Sequence, residues 1–273
     1  MRHKRGTWDR TMGIILAVLA SIAIFVFIGG FIQFCSNPDL GVEGFKCRAS
    51  IIAASRTEEL TMGTMSLFKK SCSVIDKQIP LKDRYQVRGM TGIKSPADLT
   101  EDEFREVVMR DFTELIARAW WMSAEGDRSN ALFDKIDQYI SSDNKCLILY
   151  GVRIHSPKKY PSFEKIGTVH LESALRYYNK SDVFNKPFPN DMDVQRYITF
   201  SGKGGVVILS EPIGLELGGN DAIYGIAVGF KKDAGFTETF RNIIGKGTET
   251  LNKDGSFILI APYDKIANEC DVE

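Results

Sequence analysis

The sequence predicts an α+β fold: an N-terminal transmembrane helix followed by an extracytoplasmic domain with helices early and a mainly antiparallel sheet late. Three observations predict it. Residues 12–34 form an unbroken apolar run. Residues 100–126 keep a helical period behind a capping pattern, and four β-rich segments fill the second half of the chain.

The apolar run comes first. No ionisable side chain except Cys35 lies between Thr11 and Pro38, and Met12 to Phe34 is strongly apolar over 23 residues. As a helix that length spans about 34 Å, which covers a hydrocarbon core of roughly 30 Å. A cleavable signal has an apolar stretch of only about 7–15 residues and a small-x-small site. Here the run closes in Gly30-Phe31-Ile32-Gln33-Phe34-Cys35, where bulky residues disfavour a signal peptidase. Phe34 likewise stands where a lipoprotein signal needs a small residue before its cysteine. Pilin-type cleavage at Arg5-Gly6 would leave Asp9 and Arg10 at the head of an apolar helix. The run therefore reads as a retained anchor.

Charge orients it. Residues 1–11 hold Arg2, Lys4, Arg5 and Arg10 against Asp9, whereas the far flank is Ser36-Asn37-Pro38-Asp39. The positive-inside rule puts the amino terminus in the cytoplasm and the domain outside, at the cell membrane. The resulting parse is a basic cytoplasmic head (1–11), a transmembrane helix (12–34), a linker (35–46) and an extracytoplasmic domain (47–273) that changes character near residue 145. Gly13, Ala17 and Ser21 recur every four residues, a spacing that lets two helices approach closely in lipid. That face is a candidate contact with a second copy or another membrane protein.

The outer domain opens with "CRASIIAASRTEE" (47–59), rich in helix formers and followed by Gly63. "SLFKKSCSVIDKQIPL" alternates around Cys72, Val74 and Ile75, as a short strand does. Gly89, Gly92 and Pro96 mark a loop over 82–98. Thr100 with Glu103 forms a capping box, and Phe104, Val107, Val108, Phe112, Leu115, Ile116, Ala119 and Met122 keep the helical period to Gly126. The spacing predicts one long helix with one buried face. Trp120 and Trp121, adjacent in it, point about 100° apart and must find different neighbours. A short helix over 130–140 should follow.

Strands are then expected at "CLILYGVRI" (146–154), "GVVILS" (205–210), "AIYGIAVGF" (222–230) and "SFILIAPY" (256–263), with a helix over 170–179 between them.

Composition sets limits on function. The chain has 273 residues, 44% of them hydrophobic and 26% charged, so it is ordinary globular material. About 230 residues follow the anchor, enough for one large domain or two small ones. Net charge is zero, and beyond residue 11 there are 31 basic and 34 acidic residues, which gives no electrostatic footprint for nucleic acid.

All five cysteines, Cys35, Cys47, Cys72, Cys146 and Cys270, fall on the outer side, where disulfides persist. Two bridges and a spare allow about fifteen arrangements, and spacing does not choose among them. No CxxC pair and no Cys/His set has zinc spacing, so no metal site is expected. Asn179-Lys180-Ser181 is a glycosylation acceptor pattern.

The order of "KCRASIIAASR", "KKSC", "ARAWWMSAEG", "NKCLILYGVRI" and "ILIAPYDKI" behind a spanning helix resembles a family of uncharacterised, single-pass, membrane-anchored proteins of small-genome archaeal lineages. The resemblance covers most of the chain in order. It implies an anchored outer domain with cysteines at Cys47, Cys72, Cys146 and Cys270, the disulfide candidates, and leaves Cys35 as the spare. It implies no activity and no catalytic residues.

Catalytic patterns are few. Of three histidines, His155 and His170 lie outside; with Glu172 they are the weak catalytic candidates, read first as surface residues. No Gly-x-Ser-x-Gly elbow or HExxH helix accompanies them. "SGKGG" (201–205) and "GKGTET" (245–250) lack the phosphate-loop spacing and read as turns, so no cofactor is expected. The sequence thus favours a membrane-anchored interaction or scaffold protein, a subunit of a cell-envelope or membrane assembly. The alternative is an anchored hydrolase acting on envelope polymers. Whether the chain is an enzyme is left open, with the balance against it.

Overall fold

The computed structural model describes residue 21 and residues 41–60, 72–86, 90–123, 146–155, 167–179, 192–201, 205–209, 213–215, 223–231, 255–268 and 270. The apolar run, with Gly13 and Ala17 of its small-residue face, lies outside the described residues, as does the helix expected over 130–140; Ser21 alone of that run is described, helical and exposed. Among the described residues no helix is long and apolar enough to cross a membrane.

The elements run α1 (Gly41–Leu60), β1 (Ile75–Ile79), α2 (Glu101–Met122), β2 (Cys146–Ile154), β3 (Gly167–Val169), α3 (Leu171–Tyr177), α4 (Val194–Phe200), β4 (Gly205–Leu209), β5 (Ile213–Leu215), β6 (Ile223–Lys231), β7 (Gly255–Pro262) and α5 (Tyr263–Ile266). This is an α+β domain. Helix α1 starts at Gly41, inside the segment read as linker, on a residue whose φ of 68° lies in the region that favours glycine.

A five-stranded sheet in the order β1-β2-β6-β7-β4 forms the middle of the domain, and β3 pairs with β5 beside it. Three of these five strand pairings are antiparallel; the outermost pairs of the large sheet, β1 with β2 and β4 with β7, are parallel. The antiparallel expectation therefore holds for the centre of the sheet and not for its edges. Helices do not all precede strands either, because β1 comes before α2 and α4 separates β3 from β4. The helix α4 and the short strands β3 and β5 carry too little periodic sequence to have been anticipated.

Strand β2 shows how the sheet sorts its side chains. Its pairing register with β6 shifts between Ile148 and Tyr150. Such a bulge inserts one residue and reverses the alternation of faces. Cys146 and Ile148 thus join one apolar cluster, while Leu149, Tyr150, Val152 and Ile154 all join the other. The larger cluster adds Tyr224, Ile226, Val228, Ile258 and Ile260 from β6 and β7 and packs under α2. The smaller one, on the opposite face, holds Phe257, Leu259 and Ala261 against Ile266 of α5. Gly225 on β6 leaves the room that the Ile266 side chain fills.

Helix α2 is the spine of the domain. Its start is fixed by the expected capping box: Glu103 N–H donates to Thr100 Oγ1 at 3.4 Å, and Thr100 N–H donates to Glu103 Oε2 at 2.8 Å. The expectation of one buried face is corrected from Asp111 onward, where every residue to Met122 is buried. The cause is enclosure. The sheet packs on one side, and α1, α3 and α4 pack on others. Both tryptophans are fully buried and diverge: Trp120 Nε1–H donates to Ser201 Oγ at 2.7 Å beyond α4, and the Arg48 guanidinium of α1 lies 4.4 Å from the centre of the Trp121 ring.

Two disulfides close the domain. Cys47–Cys72 ties α1 to the chain entering β1, and Cys146–Cys270 ties the first residue of β2 to the chain beyond α5.

Candidate functional site

The helical period of α2 places Asp111, Glu114 and Arg118 three and four residues apart, so all three share one stripe of the helix. On an exposed helix such a stripe faces water. In this domain it is buried, and burying charges without partners costs several kcal/mol per ion, so partners must be found.

They come from the helix itself and from the turn after β1. Asp111 Oδ2 accepts from the Leu81 N–H at 2.8 Å and from the Tyr85 hydroxyl at 2.6 Å. The Tyr85 hydroxyl in turn accepts from the Lys82 N–H at 2.7 Å. Tyr85 is held by two backbone hydrogen bonds to Lys94, which itself reaches Glu103 at 2.6 Å. Arg118 donates to Glu114 Oε1 one turn away. Arg110 Nη1 stands between the two carboxylates, 3.5 Å from Asp111 Oδ1 and 3.9 Å from Glu114 Oε2, and Lys82 Nζ lies 3.5 Å from the same Glu114 oxygen. Tyr150, projected to this side by the β2 bulge, is fully buried with its hydroxyl on Met122 Sδ at 3.8 Å.

Burial shapes the proton chemistry. It pushes the Asp111 carboxyl up to about 6, against the hydrogen bonds from Tyr85 and Leu81 that favour the charged form. Burial also raises the Tyr85 hydroxyl, with Asp111 adding to the effect, and raises the Tyr150 hydroxyl. Asp111 can therefore exchange a proton near neutral pH beside a phenol that stays protonated. Both donors to its Oδ2 belong to the 81–85 turn, which makes the pair a clasp between that turn and α2. Three cations, Lys82, Arg110 and Arg118, face the two carboxylates, an arrangement that disfavours a bound metal cation. Among the described residues no group of three His, Cys, Asp or Glu side chains is placed to hold a metal ion.

The residues singled out by sequence lie elsewhere. His155 follows β2, exposed, with its backbone N–H on the Ile79 carbonyl. His170 precedes α3, exposed, and its side chain makes no cap; Glu172 in the first turn of α3 is exposed too. They stand on the ends of different elements. Asn179 is half-buried, and its backbone bridges to Asp193, while the rest of its acceptor triplet lies outside the described residues. Cys47, Cys72, Cys146 and Cys270 are the four bridged cysteines.

Sequence reasoning missed Tyr85, Arg110, Asp111, Glu114, Arg118 and Tyr150. A signal was present: "RDFTELIAR" interleaves four charges with apolar residues at a spacing that leaves no wide polar face. Comparisons with protein-family models, curated proteins and solved structures find nothing that matches this chain.

Proposed function

We propose that this chain is a membrane-anchored interaction protein. The basic head 1–11 lies in the cytoplasm, residues 12–34 span the membrane, and the α+β domain outside binds another envelope or membrane protein as a subunit of an assembly. The spanning helix adds a contact through Gly13, Ala17 and Ser21. The resemblance to the anchored archaeal family belongs to the same proposal.

The observation that carries it is the pair of disulfides. They staple a domain that follows directly on a 23-residue apolar run preceded by basic residues. Disulfides persist in oxidising compartments, and the positive-inside rule puts the domain in one. The buried Asp111–Tyr85 pair is engaged in holding the fold, and His155, His170 and Glu172 are exposed on separate element ends. These placements favour binding over an anchored hydrolase.

Alkaline carbonate extraction of the full chain, followed by labelling with a membrane-impermeant thiol reagent before and after reduction, tests the reading. The protein is expected to stay with the membrane and to gain four externally labelled thiols on reduction. Release into the supernatant, or four cysteines already free, would sink it.

A further inference from the structure

Four large apolar side chains stand exposed among the described residues: Val42 at 66%, Ile93 at 65%, Tyr177 at 43% and Phe200 at 70%. Their places along α2 separate them into two ends. Ile93 adjoins Lys94, whose ammonium holds Glu103 in the first turn of α2. Tyr177 adjoins Tyr178, whose hydroxyl donates to Glu106 one turn later. These two belong to the N-terminal end of α2.

Phe200 belongs to the other end, and Val42 opens the helix α1 whose Arg48 reaches that end. Phe200 precedes Ser201, whose hydroxyl accepts from Trp120. Val42 lies six residues before Arg48, which donates to the Trp121 carbonyl. That separation is about 9 Å along a helix. The path of α4 agrees: Val194 N–H donates to the Tyr178 carbonyl beside Glu106, and the helix ends against Trp120, so it runs alongside α2 in the same direction and delivers Phe200 to the C-terminal end.

At each of the two positions an exposed cation stands one helical turn from the apolar residue. Lys46 follows Val42 at i+4, and Arg196, ion-paired with Asp193 at 3.4 Å, precedes Phe200 at i−4. An apolar tip with a long cationic stem one turn behind it suits the boundary between acyl chains and headgroups. The chain fixes which surface this end meets. Only residues 35–40 separate the apolar run from Gly41, and six residues reach about 20 Å when fully extended.

We propose that Val42 and Phe200 dock this end of the domain onto the phospholipid surface of the same membrane that residues 12–34 span. The docking rests on the anchored reading above. It orients α2 with its C-terminal end toward the bilayer and presents the Ile93 and Tyr177 end to the partner. The contact holds the domain at a fixed height and tilt, so the binding face is displayed away from lipid.

Photo-crosslinking on the full chain in phospholipid nanodiscs tests it. The substitutions Val42→p-benzoylphenylalanine and Phe200→p-benzoylphenylalanine are expected to give on the order of tenfold more lipid adduct than the same substitution at Ile93 or Tyr177, as groups entering the headgroup layer do against groups above it. The substitution at Val26, opposite the Gly13, Ala17 and Ser21 face, reads the anchor separately. Lipid adduct at Val26 with no excess at Val42 and Phe200 overturns the docking and leaves the anchor standing. No adduct at Val26 overturns both. Hydroxyl-radical footprinting of the unsubstituted protein gives a second reading: Val42 and Phe200 are expected to be oxidised severalfold less in nanodiscs than in amphipol, and equal oxidation in the two overturns the proposal.

Discussion

The indole of Trp120 lies on the backbone of Gly205: a Cβ built on that glycine would stand 2.5 Å from Trp120 Cη2. The first residue of β4 is therefore a glycine because the end of α2 occupies the space of its side chain. A methyl group there must push a fully buried ring. Gly205→Ala is expected to destabilise the protein by about 1–3 kcal/mol, the usual cost of overpacking. Thermal unfolding of the full chain measures it, and Trp120→Phe in the same background should recover part of the loss.

Asp111 gives the stability a pH dependence. Its folded carboxyl is pushed up to about 6 from an ordinary 3.8, so the folded state binds the proton more tightly than the unfolded state. The stabilisation is complete below about 4 and is lost as pH rises through about 6. Asp111→Asn keeps an acceptor for Leu81 and Tyr85 but cannot ionise. The slope of melting temperature against pH between 4 and 7 should flatten in that variant. The difference corresponds to about 1–3 kcal/mol. An unchanged slope would count against the buried carboxyl as its source.

Tyr85→Phe removes the hydroxyl that donates to Asp111 and accepts from Lys82. Leaving buried partners unsatisfied costs about 1–3 kcal/mol. Hydrogen exchange should show the loss locally, with faster exchange of the Leu81 and Lys82 amides and little change in β6 or β7.

The two disulfides span 25 and 124 residues of sequence. Loop-closure entropy then assigns about 3.5 kcal/mol to Cys47–Cys72 and about 5 kcal/mol to Cys146–Cys270. The paired serine variants should lower the melting temperature in that order. A non-reducing peptide map should return these two linkages.

His155→Ala, His170→Ala and Glu172→Ala together alter only exposed positions. Stability should change by less than about 0.5 kcal/mol. On the proposed binding reading, crosslinking to a membrane partner should be unaffected, whereas loss of a hydrolytic activity in this variant would restore the enzyme reading.

Much of the fold was legible. The capping box at Thr100 and Glu103 and the period that follows located α2, and the β-rich runs located β2, β4, β6 and β7 within a residue or two. What could not be read is what non-local packing decides. The spacing of "RDFTELIAR" shows no wide polar face, but it does not show that the 81–85 turn supplies the partners of Asp111 and Glu114. The bulge at Leu149 is equally silent, because its run of apolar residues satisfies either face. Cysteine spacing left about fifteen pairings open, since only the meeting of β2 with the chain after α5 selects Cys146 and Cys270.

Cys146–Cys270 also has a mechanical consequence. Strands β2, β4, β6 and β7 all lie within the covalent ring it closes. Tension applied across the two cysteines passes directly through sulfur. Without that bond the 124-residue separation could pay out about 400 Å of extended chain. With it, a pull across Cys146 and Cys270 cannot draw those four strands out.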